Sequence, residues 1–272
     1  MSSIAPDPKS KVTAPSVQGS KGRRKITALT AYDFPTARLV DESLIDIILV
    51  GDSLGPTILG LESTMPVTLD EMIAASRAVC RGTKRALTVG DLPFGSYQVS
   101  TEQAVRSSIR FVKEGGVECV KMEGGEERAE AIRAVVEAGI PVMAHIGLRP
   151  QAVHQMGGFR VQGKTKEQAA RLLRDAQAVS AAGAFSMVVE GVPAAVGRTI
   201  TAEVPIPTIG IGAGPDCDGQ ILVFSDLVGL TTGHVPKFVR QYAQVSAVIA
   251  EALASYRQDI LDGEFPSADE SY

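Results

Sequence analysis

Short apolar runs alternate with longer amphipathic segments along most of the chain. Eight runs rich in Val, Ile and Leu, such as Ile45–Gly51 and Val117–Met122, have the length and composition of parallel strands buried on both faces. Segments with apolar residues at helical spacing follow most of these runs, including Leu69–Arg81 and Lys166–Ala182. The pattern therefore predicts a repeated strand–helix unit.

Eight such units favour a single-domain α/β fold, the (β/α)8 TIM barrel, over residues 26–262. A doubly wound open sheet is the alternative, because the pattern does not prove closure, although such sheets usually have about five or six strands. Residues 1–25 carry six Lys or Arg against one acid, together with prolines and serines, and predict a disordered basic tail. Residues 263–272 are polar and predict a loose C-terminal tail.

Composition narrows the classes of partner. The chain has 272 residues, 44% of them hydrophobic, and a net charge of −4, so we expect neither nucleic acid nor a membrane as a main partner. No apolar run reaches the roughly 18 residues of a membrane helix. Cys80, Cys119 and Cys217 show no CxxC spacing, which predicts thiols in a reducing compartment, and the cytoplasm is the expected location.

Three acidic residues each end a predicted strand, and these are Asp52, Asp91 and Glu123. In a parallel barrel the carboxyl ends of the strands face one site, so the three side chains are expected to converge there. Carboxylate oxygens are the ligands that a hard cation such as Mg²⁺ prefers. A single acid at such a position more often caps the next helix, but capping does not require the repetition in consecutive units.

Other strand-end residues extend this candidate site. Lys121 lies two positions before Glu123, hence on the same face of the strand, where it can hold an anionic substrate or simply pair with an acid. Glu190 ends an apolar run and is a candidate general base, with a structural glutamate bonded to loop amides as the alternative. Ser53 and His145 complete the strand-end set, with His145 as a candidate substrate contact, although a lone histidine in an apolar strand is more often a core residue.

Several motifs together resemble those of one family, the ketopantoate hydroxymethyltransferases. The resemblance runs from about Ile26 to Phe238. It is carried, in chain order, by Val50-Gly-Asp-Ser-Leu-Gly55, Thr64-Met-Pro-Val-Thr68, Gly90-Asp-Leu-Pro-Phe94, Val120-Lys-Met-Glu-Gly-Gly125, Ala144-His-Ile-Gly-Leu148, Gly157-Gly-Phe-Arg-Val-Gln-Gly163, Gly210-Ile-Gly-Ala-Gly214 and Asp218-Gly-Gln-Ile-Leu222.

The resemblance implies an activity and a set of residue roles. It implies a barrel enzyme that transfers a hydroxymethyl group from 5,10-methylenetetrahydrofolate to 3-methyl-2-oxobutanoate through a Mg²⁺-stabilised enolate, giving ketopantoate for pantothenate and coenzyme A synthesis. It assigns the metal to Asp52, Asp91 and Glu123, some through water, and Glu190 as the base. The oxoacid contacts would be Asp52, Asp91, Lys121 and Ser53. A homodecamer is likewise implied.

Two other functions are compatible with the same residues. A Mg²⁺-dependent carbon–carbon lyase of the isocitrate lyase and phosphoenolpyruvate mutase type also polarises an oxoacid, but such lyases usually carry a reactive cysteine in a loop, whereas Cys119 lies within a predicted strand. A catalytically silent barrel that acts as a scaffold is the other possibility. The presence together of the acids, Lys121 and Glu190 argues against it.

Overall fold

Every strand pairs in parallel with the next one along the chain, and the last strand pairs with the first. The computed structural model describes residues 10–231, 233 and 235–272. The closed sheet confirms the predicted TIM barrel and excludes the open sheet. Its strands are β1 (Ile26–Thr30), β2 (Ile47–Val50), β3 (Leu87–Asp91), β4 (Cys119–Glu123), β5 (Val142–Gly147), β6 (Ser186–Glu190), β7 (Thr208–Ile211) and β8 (Gly219–Leu222).

Most helices connect one strand to the next, as in a barrel of this class. Several begin with the expected caps: the side chains of Thr68 and Thr165 each accept a backbone N–H three residues on and form capping boxes. The helices are α1 (Ala14–Gln18), α2 (Phe34–Glu42), α3 (Leu54–Ile58), α4 (Leu69–Gly82), α5 (Thr101–Arg110, continued by a π-helical turn to Gly115), α6 (Ala129–Glu137), α7 (Val153–Met156), α8 (Lys166–Ala181), α9 (Ala194–Glu203), α10 (Phe224–Leu227) and α11 (Val245–Asp262).

The expectation of a disordered tail is wrong for residues 10–25, and residues 1–9 lie outside the described part of the chain. Val12, Ala14 and Val17 are buried in one apolar cluster with residues from β1 to β8, at the end of the barrel opposite the strand carboxyl ends. The Val12 amide donates to the carbonyl of Arg85 at 2.8 Å, just before β3. Burial of three apolar side chains outweighs the prolines and charges that suggested disorder.

One buried acid at this amino-terminal end of the barrel, Asp218, stabilises the fold. Asp218 is buried and accepts hydrogen bonds from the backbone amides of Thr208 at 2.9 Å and Gly22 at 3.2 Å, and from the Lys21 ammonium at 2.7 Å. Burial works to raise its pKa, but Lys21 and the two amides outweigh burial and hold the pKa below its ordinary value. Asp218 thus ties the N-terminal segment to β7.

Replacing Asp218 with asparagine is expected to lower the free energy of unfolding by about 1.5–3 kcal/mol at neutral pH, because an amide N–H₂ would face backbone donors. Since the folded-state pKa is depressed, the stabilisation is complete above the unfolded pKa of about 3.9 and is lost as the pH falls through the folded value. Urea denaturation should therefore show a gap between wild type and variant that narrows below about pH 4. Asp216→Asn, at an exposed pair with Arg198, is the control.

The barrel is complete by Leu222, well before the C-terminal limit predicted from sequence. By compactness the chain divides into one unit up to Val223 and a second from Phe224 to Tyr272. The second unit contains α10 and α11, and none of the residues of α11 is buried. Among the described residues no helix is both long enough and apolar enough to cross a membrane.

Candidate active site

A buried ion pair stands at the carboxyl ends of β3 and β4. Asp91 and Lys121 are register neighbours on these strands, and the Lys121 ammonium lies 2.6 Å from Asp91 Oδ1 and 3.8 Å from Glu123 Oε1. Burial works to lower the pKa of Lys121, but the charges of Asp91, Glu123 and Asp52 outweigh it and raise the pKa. Lys121 therefore pairs with an acid, and because this ion pair lies inside the predicted site, the same lysine is also placed to contact an anionic substrate.

Asp52 joins this pair from the end of β2. Its backbone amide donates to Asp91 Oδ2 at 3.1 Å, and the residue is 4% exposed. Burial, followed by the charge of Asp91, raises the pKa of Asp52 well above its ordinary value, and Lys121 offsets only part of this. Three carboxyl groups, of Asp52, Asp91 and Glu123, thus lie around one lysine.

His145 lies between two glutamates. Its ring nitrogens are 3.4 Å from Glu123 Oε1 and 3.1 Å from Glu190 Oε2, within ion-pair distance but without the alignment of hydrogen bonds. Burial and the Lys121 charge oppose protonation of His145, but the two glutamates outweigh them and raise its pKa to about 9. The two facing carboxylates thus favour the protonated form of the histidine.

Lys121, Glu123, His145 and Glu190 form a row of neighbouring charged groups, and Glu190 is its outer member. The Glu190 side chain is 15% exposed, whereas the other acids of the site are almost fully buried. Its carbonyl accepts the Leu148 amide at 2.8 Å and lies directly against Gly147. A Cβ at Gly147, where φ is +94°, would come within 2.2 Å of that carbonyl oxygen, so glycine is needed here. The close approach of β5 and β6 fixes where the Glu190 side chain begins.

Two buried loop residues, Gln151 and Tyr97, connect the acids and were not identified from the sequence. The Gln151 side-chain amide donates to Asp52 Oδ2 and to the Leu92 carbonyl, both at 2.9 Å, and its backbone amide donates to Glu123 Oε2 at 3.1 Å. The Tyr97 hydroxyl donates to Gln151 Oε1 at 2.7 Å. No strand-end position or charge marks either residue in the sequence, so only the fold reveals them.

Of two further residues at strand ends, Ser53 lies at the site and Asp33 caps a helix. Ser53 Oγ lies 2.7 Å from the Tyr32 hydroxyl beside Asp52, so the predicted substrate contact is at the site. Asp33, which ends the segment after β1, instead accepts the Thr36 amide at 2.8 Å and caps α2. Capping therefore accounts for this acid, whereas Asp52, Asp91 and Glu123 lie close together.

The acidic site suits a hard cation in charge and donor type. Glu123 Oε1 is buried without a hydrogen-bond partner, and the carboxylates of Asp52, Asp91 and Glu123 surround a single lysine. Within the described residues, however, no group of three His, Cys, Asp or Glu side chains is arranged closely enough to hold a metal ion unaided. A cation held here would therefore need water or substrate oxygens among its ligands.

The fold and the site define a TIM-barrel enzyme whose buried carboxylates and lysine lie at the carboxyl ends of the strands. A family model described as ketopantoate hydroxymethyltransferase matches residues 11–268. The chain belongs to the ketopantoate hydroxymethyltransferase family, which confirms the resemblance seen in its motifs.

Full-length relatives agree with this assignment. The chain is 56% identical over 263 residues to a 3-methyl-2-oxobutanoate hydroxymethyltransferase of Heliobacterium modesticaldum, covering 96% of this chain and 95% of the relative. It is 52% identical to the enzyme of the same name from Koribacter versatilis, covering 100% of this chain and 92% of the relative.

Solved structures with the same fold are far more distant in sequence. A phosphonopyruvate hydrolase crystallised with oxalate and Mg²⁺ superimposes with a TM-score of 0.63 at 15% identity, covering 95% of this chain and 93% of that one. A 2,3-dimethylmalate lyase of the phosphoenolpyruvate mutase/isocitrate lyase superfamily gives a TM-score of 0.58 at 16% identity, covering 95% and 91%. These likenesses show a shared barrel fold, whereas the sequence relationship is to the hydroxymethyltransferases.

Proposed function

We propose that this chain transfers a hydroxymethyl group from 5,10-methylenetetrahydrofolate to 3-methyl-2-oxobutanoate through an enolate formed at the carboxyl ends of the strands. Membership in the family carries the activity itself, which is the formation of ketopantoate in pantothenate biosynthesis. One observation supports the enolate route. Neighbouring strand ends of β4, β5 and β6 bring together two cationic groups and a partly exposed carboxylate, in the row Lys121, Glu123, His145 and Glu190.

Lys121 and Asp52 would bind the oxoacid. The Lys121 ammonium has three N–H donors and gives one to Asp91, so a donor is free for the substrate carboxylate. Ser53 offers a hydroxyl next to Asp52, and Gln151 holds the Asp52 carboxylate in place through its amide. The bound substrate would then lie over the ends of β2 to β4.

Glu190 would act as the base at C3 of the oxoacid. Its Oε2 atom lies 3.1 Å from a ring nitrogen of His145, and the glutamates on either side favour a positive charge on that ring beside the developing enolate. In overall balance, C3 loses a proton and gains the one-carbon unit, both C–N bonds to that carbon break, and water supplies the hydroxyl oxygen. The two released nitrogens take up the protons from C3 and from water.

Asp52, Asp91 and Glu123 would hold a Mg²⁺ ion together with water or substrate oxygens. When bound, the ion polarises the ketone oxygen and so acidifies C3. Glu123 Oε1, which accepts no hydrogen bond, and the presence of three carboxylates around one lysine support this assignment.

Proton NMR in D₂O tests the proposed function directly. Protein, Mg²⁺, 3-methyl-2-oxobutanoate and methylenetetrahydrofolate should give new hydroxymethyl signals, and the oxoacid with Mg²⁺ but without folate should still exchange its C3 proton for deuterium. Exchange without any product would show that enolisation is right and the donor wrong. The absence of both, from folded and metal-loaded protein, would contradict the proposal.

The homodecamer and the cytoplasmic location implied by the sequence stay predictions. Helix α11 supports assembly, because Val248, Leu253 and Leu261 are each more than 60% exposed along it. Contact with other copies would remove this apolar surface from water. Light scattering on the purified protein gives the mass that decides the number of subunits.

A further inference from the structure

A cavity of about 520 Å³ opens beside the acidic site and reaches Glu123 and Gln151. Pockets of roughly 300–1,000 Å³ hold drug-sized ligands, so this one is large for a five-carbon oxoacid. All of the residues that line it belong to the barrel unit. The space is therefore available to a second and bulkier substrate.

One end of the cavity is apolar and aromatic. Met65 lies in the connection after β2, and Phe94 and Tyr97 lie in the connection after β3. The Phe94 side chain is 44% exposed, which leaves an aromatic surface available to a flat ring. Tyr97 is buried and joins this end to Glu123 and Gln151 through its hydroxyl.

The other end is basic. Arg128 follows β4, Arg149 follows β5, and Arg171 lies on α8, so the three arginines come from the next part of the barrel in strand order. Glu127 forms an ion pair with Arg149. Among the described residues no carboxylate is within ion-pair distance of Arg128 or Arg171. Asp175 is close enough for the Arg171 charge to oppose the rise in pKa that burial causes at this carboxyl. Two of the three arginines, Arg128 and Arg171, therefore have no ion-pair partner at this end.

Arg128 also connects the two ends. Its guanidinium carbon lies 5.8 Å from the centre of the Tyr97 ring, in cation–π contact, and it donates a long hydrogen bond of 3.4 Å to the Gln98 carbonyl. Neither contact satisfies its charge with an anion. The guanidinium is held in place, with donors left for an anionic ligand.

We propose that this cavity binds the folate co-substrate, with its pterin ring at Met65 and Phe94 and its glutamate carboxylates at Arg128, Arg149 and Arg171. This inference rests on the proposed function. The glutamate of the donor carries two carboxylates, which match the two arginines without an ion-pair partner, Arg128 and Arg171. The transferred carbon lies between the pterin ring and the benzoyl-glutamate tail, and Glu123 of the acidic site lines the same cavity.

Steady-state kinetics with two donors tests the arginine assignment. Methylenetetrahydropteroate lacks the glutamate, and methylenetetrahydrofolate carries it. With the folate donor, Arg171→Ala and Arg128→Ala should each raise KM about tenfold or more, the size of a lost charge-assisted hydrogen bond. With the pteroate donor the same variants should change KM by less than about twofold, so that their preference for glutamate falls. Arg174→Ala, an exposed arginine on α8 outside the cavity, is the matched control.

Two results would overturn the inference. In one, neither arginine variant changes KM for the folate donor; in the other, both donors are affected equally. Failure of the proposed function is recognised separately, because wild-type protein would then show neither C3 exchange nor product with either donor.

Discussion

Replacing Glu190 with glutamine lowers the rate of C3 deuterium exchange and of hydroxymethyl transfer by about 10²–10⁴, the usual contribution of a positioned general base. Glutamine keeps the size and the place of the side chain at the end of β6 but has no basic oxygen. The fold should remain intact, because Glu190 is the partly exposed member of the row and forms no aligned hydrogen bond with His145.

The exchange and transfer rates of Glu190→Gln are measured together by NMR, with Glu203→Gln at the exposed end of α9 as control. Loss of both rates with an unchanged melting temperature supports the role of base. An exchange rate close to that of wild type would assign the proton abstraction to another group. Loss of transfer alone would place Glu190 at the one-carbon step instead.

Replacing Lys121 with methionine lowers the free energy of unfolding by about 3–5 kcal/mol and abolishes turnover, because breaking a buried ion pair leaves an uncompensated charge. Asp91 loses an ammonium at 2.6 Å, and Glu123 and Asp52 lose their nearest lysine. Methionine fills a similar volume, so the loss of packing is small compared with the loss of charge.

A second variant separates stability from activity. Lys121→Met combined with Asp91→Asn removes both charges and should recover much of the stability, yet it should stay inactive because the oxoacid has lost its cation. Urea denaturation gives the stabilities, and Arg106→Met, at an exposed pair with Glu102, sets the scale for a surface charge. A single variant within about 1 kcal/mol of wild type would contradict the compensating role assigned to Lys121.

The barrel and the convergence of its acids can be predicted because both depend on local pattern. A strand buried on both faces is a contiguous apolar run, and in a parallel barrel its last residue must lie at the shared edge. The sequence alone thus suffices to place Asp52, Asp91 and Glu123 near one another. Their metal-binding role, and the substrate and base roles of the other strand-end residues, stay predictions.

The connections between the acids could not be predicted. Gln151 contacts Asp52, 99 positions away in sequence, and no periodicity links a short turn after β5 to the end of β2. Residues 10–25, where disorder was predicted, are ordered for a related reason. Val12 and Val17 gain partners only when residues from all eight strands are assembled, whereas the local pattern contains just their proline-rich surroundings.

His145 shows where a general expectation about residue types fails. A lone histidine in an apolar strand is usually a neutral core residue, and its strand carries no other signal. The register that sets β4 beside β5 pairs it with Glu123, and β6 brings Glu190 to its other nitrogen. Two facing carboxylates change its expected protonation state, and neither is a neighbour of His145 in the sequence.

The apolar residues near the N-terminus also affect the order of assembly during synthesis. Val12, Ala14 and Val17 leave the ribosome before any strand, yet their partners extend to Ile221. These side chains stay exposed to water until almost the whole barrel has been translated, because contacts between residues distant in sequence form late. A chain shortened to begin at Ile26 would keep every strand but expose the apolar cluster at the amino-terminal end of the barrel to water, so expression vectors should preserve residues 10–25.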